Sequence, residues 1–291
     1  MPVLPVRPMA AVLADKPKAL AKGPLAIILV EDDVAVERTV RHHLDRGFRH
    51  ILLASDQPQD LPEALAARVT QLGHDTRRPD AHVDVVNAVI AAVPAGTWLY
   101  YGFNAEFLFH PFCETRSVGE MLAFHVEERR DAMLTYVVDL YASDIARCPD
   151  AVDLENAMFD RTGYYALGRV GPDGHHRERQ LDFHGGLRWR YEELLPPDRR
   201  RIDRIALFRA APGLAVTADH RFTVEEYNTY SCPWHHNLTA AIASFRVAKA
   251  LVSNPGSRDQ VGTMTWRNSH RFDWSSQQLM DLGLMEPGQW F

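Results

Sequence analysis

Trp98 to Phe103 (WLYYGF) reads as a buried strand that delivers the chain to Asn104-Ala105-Glu106-Phe107. Polar groups released at the carboxyl end of such a strand lie where open α/β sheets bind their ligands. Side chains at i and i+2 of an extended chain point the same way, so Asn104 and Glu106 could share one hard cation or one ligand hydroxyl. The alternative is a satisfied turn after a strand.

Two further strand ends carry acids. Glu31-Asp32-Asp33 follow the apolar run LAIILV, and Asp56 follows HILLAS. Helix capping and the helix dipole account for at least one of the first three. Neighbouring strands that both end in carboxylates also form a cleft that accepts hydrogen bonds from a base or a ribose. Among 14 histidines, three adjacent pairs stand out: His42-His43, His175-His176 and His235-His236. The last pair precedes a helix expected from Asn237, whose N-terminal N–H groups would favour a phosphate. A histidine there could bind that phosphate or complete a metal shell. No H-E-x-x-H, G-x-S-x-G, G-x-G-x-x-G or G-x-x-x-x-G-K-[ST] pattern occurs, which argues against zinc hydrolase, serine hydrolase and P-loop chemistry.

The elements that must position these groups follow from periodicity. LAIILV and HILLA are short apolar strands, and Val36, Val40 and Leu44 mark one helical face between them, with Asp33 as N-cap and Gly47 as C-cap. That strand–helix–strand unit builds a parallel sheet. Leu61, Leu65, Val69 and Leu72 predict a second helix stopped by Gly73; Val85 to Val93 predict a third. Ser117-Val118-Gly119-Glu120 is a capping box, and Ala132 to Tyr141 reads as a strand. In the less regular second half, Ile202 to Phe208 suits a strand, Asn237 to Val252 a helix, and Ser275 to Leu282 a short final helix. Residues 1–23 read as a weakly ordered lead-in and 24–291 as one α/β domain with a mixed, mainly parallel sheet flanked by helices. It divides into a regular half, 24–145, and a less regular half, 146–291.

Bulk numbers narrow the function. The formal charge is −6 over 291 residues, so no global basic field draws the chain to nucleic acid. Arg199-Arg200-Arg201 and Arg204 are a local exception, read as a solvated basic face or an anionic-ligand contact; peripheral membrane association stays open. Three dispersed cysteines, Cys113, Cys148 and Cys232, argue against a disulfide framework and favour a reducing, cytoplasmic setting. Leu25 to Val30 is too short to span a bilayer, so no transmembrane segment is expected.

Together these residues resemble a family-2-type glycosyltransferase with a GT-A fold, in its bacterial branch. His43-Leu44-Asp45-Arg46-Gly47-Phe48 is similar to a His-x-x-x-Gly-Phe phrase of that branch, and Phe103-Asn104-Ala105-Glu106-Phe107-Leu108 to its Asp-x-Asp-Glu-Phe-Leu phrase. Gly185-Gly186-Leu187-Arg188, Asp219-His220 and Asn268-Ser269-His270-Arg271-Phe272 resemble later segments. The likeness covers most of residues 24–285 and implies a nucleotide-binding half over 24–145 and an acceptor half over 146–291. It implies transfer of a sugar from a UDP- or GDP-type donor to a glycan or other hydroxyl acceptor, in bacterial surface polysaccharide synthesis. Glu31, Asp32 and Asp56 would lie near base and ribose, with Asn104 and Arg188 also toward the nucleotide. Mn²⁺ or Mg²⁺ would sit on the diphosphate, and Glu192 or Glu193 would be the base. The Asp-x-Asp pair itself is altered. Direct alignment puts Phe103 and Ala105 at its positions, and a one-residue shift puts Asn104 and Glu106 there. Asn104, Glu106, His220 and His236 are then the candidate metal ligands. Three outcomes stay open: a weakened metal site, a metal-free enzyme using Arg and His on the diphosphate, or a binding protein that has lost catalysis.

Overall fold

The structure, a computed structural model, describes residues 6–15, 17–229 and 237–290. Its elements in chain order are α1 (Met9–Ala14), β1 (Leu25–Leu29), α2 (Val36–Asp45), β2 (His50–Ser55), α3 (Glu63–Ala66), β3 (Val69–Gly73), α4 (Ala81–Ala92), β4 (Trp98–Phe103), β5 (Glu106–Phe109), α5 (Val118–Glu127) and β6 (Ala132–Ala142). There follow β7 (Ala157–Asp160), β8 (Tyr165–Val170), β9 (His176–His184), α6 (Gly186–Arg190), β10 (Asp203–Arg209), β11 (Ala240–Ser244), α7 (Arg246–Ser253), β12 (Ser269–Arg271) and α8 (Ser276–Asp281). The fold is mixed α/β, with a mostly parallel sheet in the first of its two units and mixed pairing in the second. Among the described residues no helix is long and apolar enough to cross a membrane.

The chain forms two compact units, neither a contiguous half. The first comprises residues 1–105, 116–133 and 205–228; the second comprises 106–115, 134–204 and 229–291.

In the first unit, β1 pairs in parallel with β2 on one side and β4 on the other, and β3 extends the sheet beyond β2. β10 closes the β4 edge antiparallel. Every residue of β1 and β4 is buried, as continuous apolar runs require when helices cover both faces. The sequence places α2, α4 and the α5 capping box well; Ser117 accepts from the Glu120 N–H, and Glu120 accepts from the Ser117 N–H. It misplaces the cap of α2, where Ala35 at φ 56 takes the position expected of Asp33. The expected helix over Leu61–Leu72 is α3 followed by β3. Leu72 is buried on a strand, because the open edge of β2 offers Val69–Gly73 a full parallel ladder. Residues before β1 carry α1, which packs on α4 and β3 with Val12 and Leu13 buried.

In the second unit, β6 pairs in parallel with β11, and β11 pairs antiparallel with β5. On the other side of β6 lie β7 and then β12, both antiparallel to their neighbours. The helix expected from Asn237 to Val252 is instead β11, then α7. Ala240–Ser244 is entirely buried between two strands, where ladder bonds outweigh its helical period. α7 packs with α6 around Tyr141, Leu187, Ala248, Leu251 and Met264. β8 and β9 form a separate two-stranded ribbon.

Candidate functional site

The corner after β4 comes first. Asn104 is fully buried, and three hydrogen bonds occupy its side chain. Its Oδ1 accepts from the Glu31 N–H at 2.9 Å, and its Nδ2 donates to Asp32 Oδ1 at 2.6 Å and to the Val34 carbonyl at 3.0 Å. An amide here does what a carboxylate cannot, since two of its three partners are acceptors. Asn104 thus pins the acidic turn after β1 to the end of β4. Asn104→Asp is therefore expected to destabilise the fold by about 2–4 kcal/mol, with a larger loss at pH 8 than at pH 4. Both lost donors and the new carboxylate beside Asp32 drive that loss. Denaturant melts at the two pH values read it directly.

Glu106, two residues on, belongs to the second unit and is equally buried. Its Oε2 pairs with Arg204 at 2.6 Å and its Oε1 accepts from Ser244 Oγ at 3.0 Å. Ser244 stands opposite Glu106 in the β5–β11 register. Between them, Ala105 adopts φ 58, which breaks the strand alternation that would have aimed both side chains alike. Asn104 and Glu106 are each bonded within their own unit. Among the described residues, no three His, Cys, Asp or Glu side chains converge as metal ligands. His236, and with it the anion site expected at His235-His236, lies outside the described residues.

The remaining first-unit candidates gather at carboxyl ends of strands. Asp32 and Asp33 are exposed after β1, and Glu31 is half-buried. Asp56 follows β2 and forms an ion pair with Arg77. Thr76 donates to the Val30 carbonyl, which ties the loop after β3 to the end of β1. His220 lies 3.1 Å from the Tyr101 hydroxyl through Nδ1 and stacks on His82 at 4.2 Å between ring centroids. Its loop is held to α4 by reciprocal bonds between Asn87 and Val216. An open cleft of about 590 Å³ in the same unit lies elsewhere, at the amino ends of β1 and β4 beside Gly23, Trp98 and Leu122.

In the second unit, the structure adds a site that the sequence reading missed. Asp139 on β6 is 1% exposed and accepts from the Arg188 N–H at 3.3 Å and from its Nε at 3.4 Å. Burial pushes the Asp139 pKa up to about 6; Arg188 counters the rise, and the nearby Asp160 adds to it. Asp160 Oδ1 accepts from the Tyr141 hydroxyl at 2.5 Å, Trp266 Nε1 at 2.7 Å and Arg190 at 3.0 Å. The Tyr164 hydroxyl is buried without a hydrogen-bond partner, and its pKa is raised well above the usual phenol range by burial and then by Asp160, Asp139 and Tyr141. Gly186 is needed here: at φ +60 an added Cβ would meet Asp139 Oδ2 at 3.1 Å. A Cβ on Gly185 would collide with the Tyr164 ring.

Arg188, read as a nucleotide contact, is thus the partner of Asp139 and also donates to the Arg201 carbonyl at 2.9 Å. Glu192 and Glu193, read as bases, are exposed on a short 3-10 turn. The signal for the missed acid was present in AMLTYVVDLYA. A carboxylate inside an apolar strand is stable only when paired or protonated.

No protein-family model and no curated protein matches the chain. The family resemblance therefore rests on the residues alone.

Proposed function

We propose that the chain is a nucleotide-sugar-dependent glycosyltransferase of GT-A type, which moves a sugar to a glycan or other hydroxyl acceptor and does not rely on a metal held by Asn104 and Glu106. The observation that carries the reading is the carboxyl edge of the first unit. Two adjacent parallel strands joined by α2 release accessible acids there, Asp32 and Asp33 after β1 and Asp56 after β2. Such acids accept hydrogen bonds from ribose hydroxyls and base N–H groups. Arg77, exposed and paired with Asp56, is a cationic donor of the same unit that suits a diphosphate.

Transfer also requires a proton acceptor for the acceptor hydroxyl. A carboxylate with a pKa near the working pH serves best. Asp139 at about 6 meets that requirement, and in this reading it replaces Glu192 and Glu193. The paired Arg188 favours the ionised carboxylate, which is the form that takes up the hydroxyl proton.

A second reading is a glycosyltransferase-like protein that binds a nucleotide, a sugar or an assembly partner without transfer. The commitment of both Asn104 and Glu106 to internal bonds favours it. Incubation with UDP- and GDP-sugars and a hydroxyl acceptor, in EDTA and in Mn²⁺, separates the two. Equal turnover in both conditions supports the transferase. Nucleotide binding with no transfer or hydrolysis in either condition supports the binding protein.

A further inference from the structure

We propose that Arg77 makes the strand-end site selective for a nucleoside diphosphate over a nucleoside, by trading its ion pair with Asp56 for the phosphates of the ligand. This role rests on the glycosyltransferase reading above. The loop after β3 carries Arg77 to the carboxyl edge of the first unit, and three bonds hold the loop there. The His74 N–H donates to the Ser55 carbonyl at 2.9 Å, at the end of β2. Thr76 Oγ1 donates to the Val30 carbonyl, one residue before the acidic turn Glu31-Asp32-Asp33. The Arg77 N–H donates to Asp75 Oδ1 at 3.1 Å and closes the turn between them. Arg77 is thus tethered to the ends of both β1 and β2, and its guanidinium pairs with Asp56. Arg78 turns instead toward Asp84 on α4, at 3.6 Å.

Arg77 therefore occupies the carboxylate that a ribose hydroxyl or a base N–H would use. The pair is easily exchanged. The Arg77 side chain is 65% exposed and that of Asp56 is 30% exposed. An ion pair this open to water shifts an equilibrium by no more than about fivefold. A guanidinium on a phosphate makes charge-assisted, bidentate bonds, which contribute about ten- to a hundredfold. The exchange is favourable when the ligand brings phosphates and unfavourable when it brings only a base and a ribose. A nucleoside must displace Arg77 from Asp56, whereas a nucleoside diphosphate draws it away.

The surrounding charge strengthens the contrast. Asp32 and Asp33 are exposed on the same edge. With Asp56 they repel a diphosphate unless a cation intervenes, and they do not repel an uncharged nucleoside. Arg77 supplies that cation from a loop already fixed between the two acidic strand ends.

The test is calorimetric titration of the full chain, in EDTA, with uridine, guanosine and cytidine and with UDP, GDP and CDP, for the parent and for Arg77→Ala. The variant is expected to bind the diphosphate about tenfold or more weakly and the matching nucleoside about two- to fivefold more tightly. Its melting temperature should stay that of the parent, because the side chain is largely exposed. A residue that only steadied the loop would lower both affinities together. The proposal is overturned if Arg77→Ala binds the diphosphate as tightly as the parent does, or if it weakens nucleoside and diphosphate alike. A parent that binds none of the six compounds overturns the glycosyltransferase reading and this role with it. A parent that binds a diphosphate, with Arg77→Ala unaffected, overturns this role alone.

Discussion

Replacing Glu106 by glutamine is expected to cost about 3–5 kcal/mol of stability, the usual penalty for removing one partner of a buried ion pair. The Arg204 guanidinium is 5% exposed and faces a carboxylate with no exposure, so the variant strands a buried cation. Ser244 loses its charged acceptor at the same time. Pairing Glu106→Gln with Arg204→Met should recover much of the loss, because a buried ion pair is often replaceable by apolar groups of similar size. Urea titration of the parent, both single variants and the double variant gives the coupling. A Glu106→Gln protein that melts like its parent but loses Mn²⁺ affinity would instead make this residue the metal ligand that its Asp-x-Asp-like position suggests.

The second large effect concerns Asp139. Asp139→Asn is expected to lower the transfer rate by about 10²–10⁴, the usual contribution of a general base. The parental rate should rise with pH through about 6, and the residual rate of the variant should not. Stability gives an independent readout. The folded pKa of about 6 lies above the usual carboxylate value, so between pH 4 and 6 the folded state holds a proton that the unfolded state releases. The contribution of Asp139 to stability therefore falls as pH rises through that window and stays low above it. His125 gives the opposite slope, because burial lowers its pKa to about 4 and its neutral form is the folded one. Subtracting the variant's denaturant profile from the parent's cancels His125 and isolates Asp139. A flat difference between pH 4 and 7 would show that the Asp139 pKa is not raised in the folded state.

Legibility in the sequence varied with how local each determinant is. β1, α2, β2 and the Ser117 capping box are set by apolar period and by side chains within four residues, and they were readable. β3 and β11 were not. Val69–Gly73 and Ala240–Ser244 become strands because a neighbouring strand edge completes their hydrogen bonds, which a single-chain period does not contain. The Asn104–Glu106 corner is legible as a strand end, but the internal bonds of each side chain are not. The period-2 argument needs an extended residue between them, and Ala105 is left-handed. Asp139 was passed over because β6 reads as one apolar run, although the charge inside that run was itself the clue.

The most direct test of a nucleotide site independent of the Asn104–Glu106 corner is calorimetric titration with UDP, GDP and CDP, each in Mn²⁺ and in EDTA. The account predicts that one of these nucleotides binds, with affinities in the two conditions agreeing within about twofold, and that Asp56→Ala weakens binding about tenfold. Absence of binding to all three nucleotides, or binding at least about tenfold tighter in Mn²⁺ than in EDTA, would contradict it.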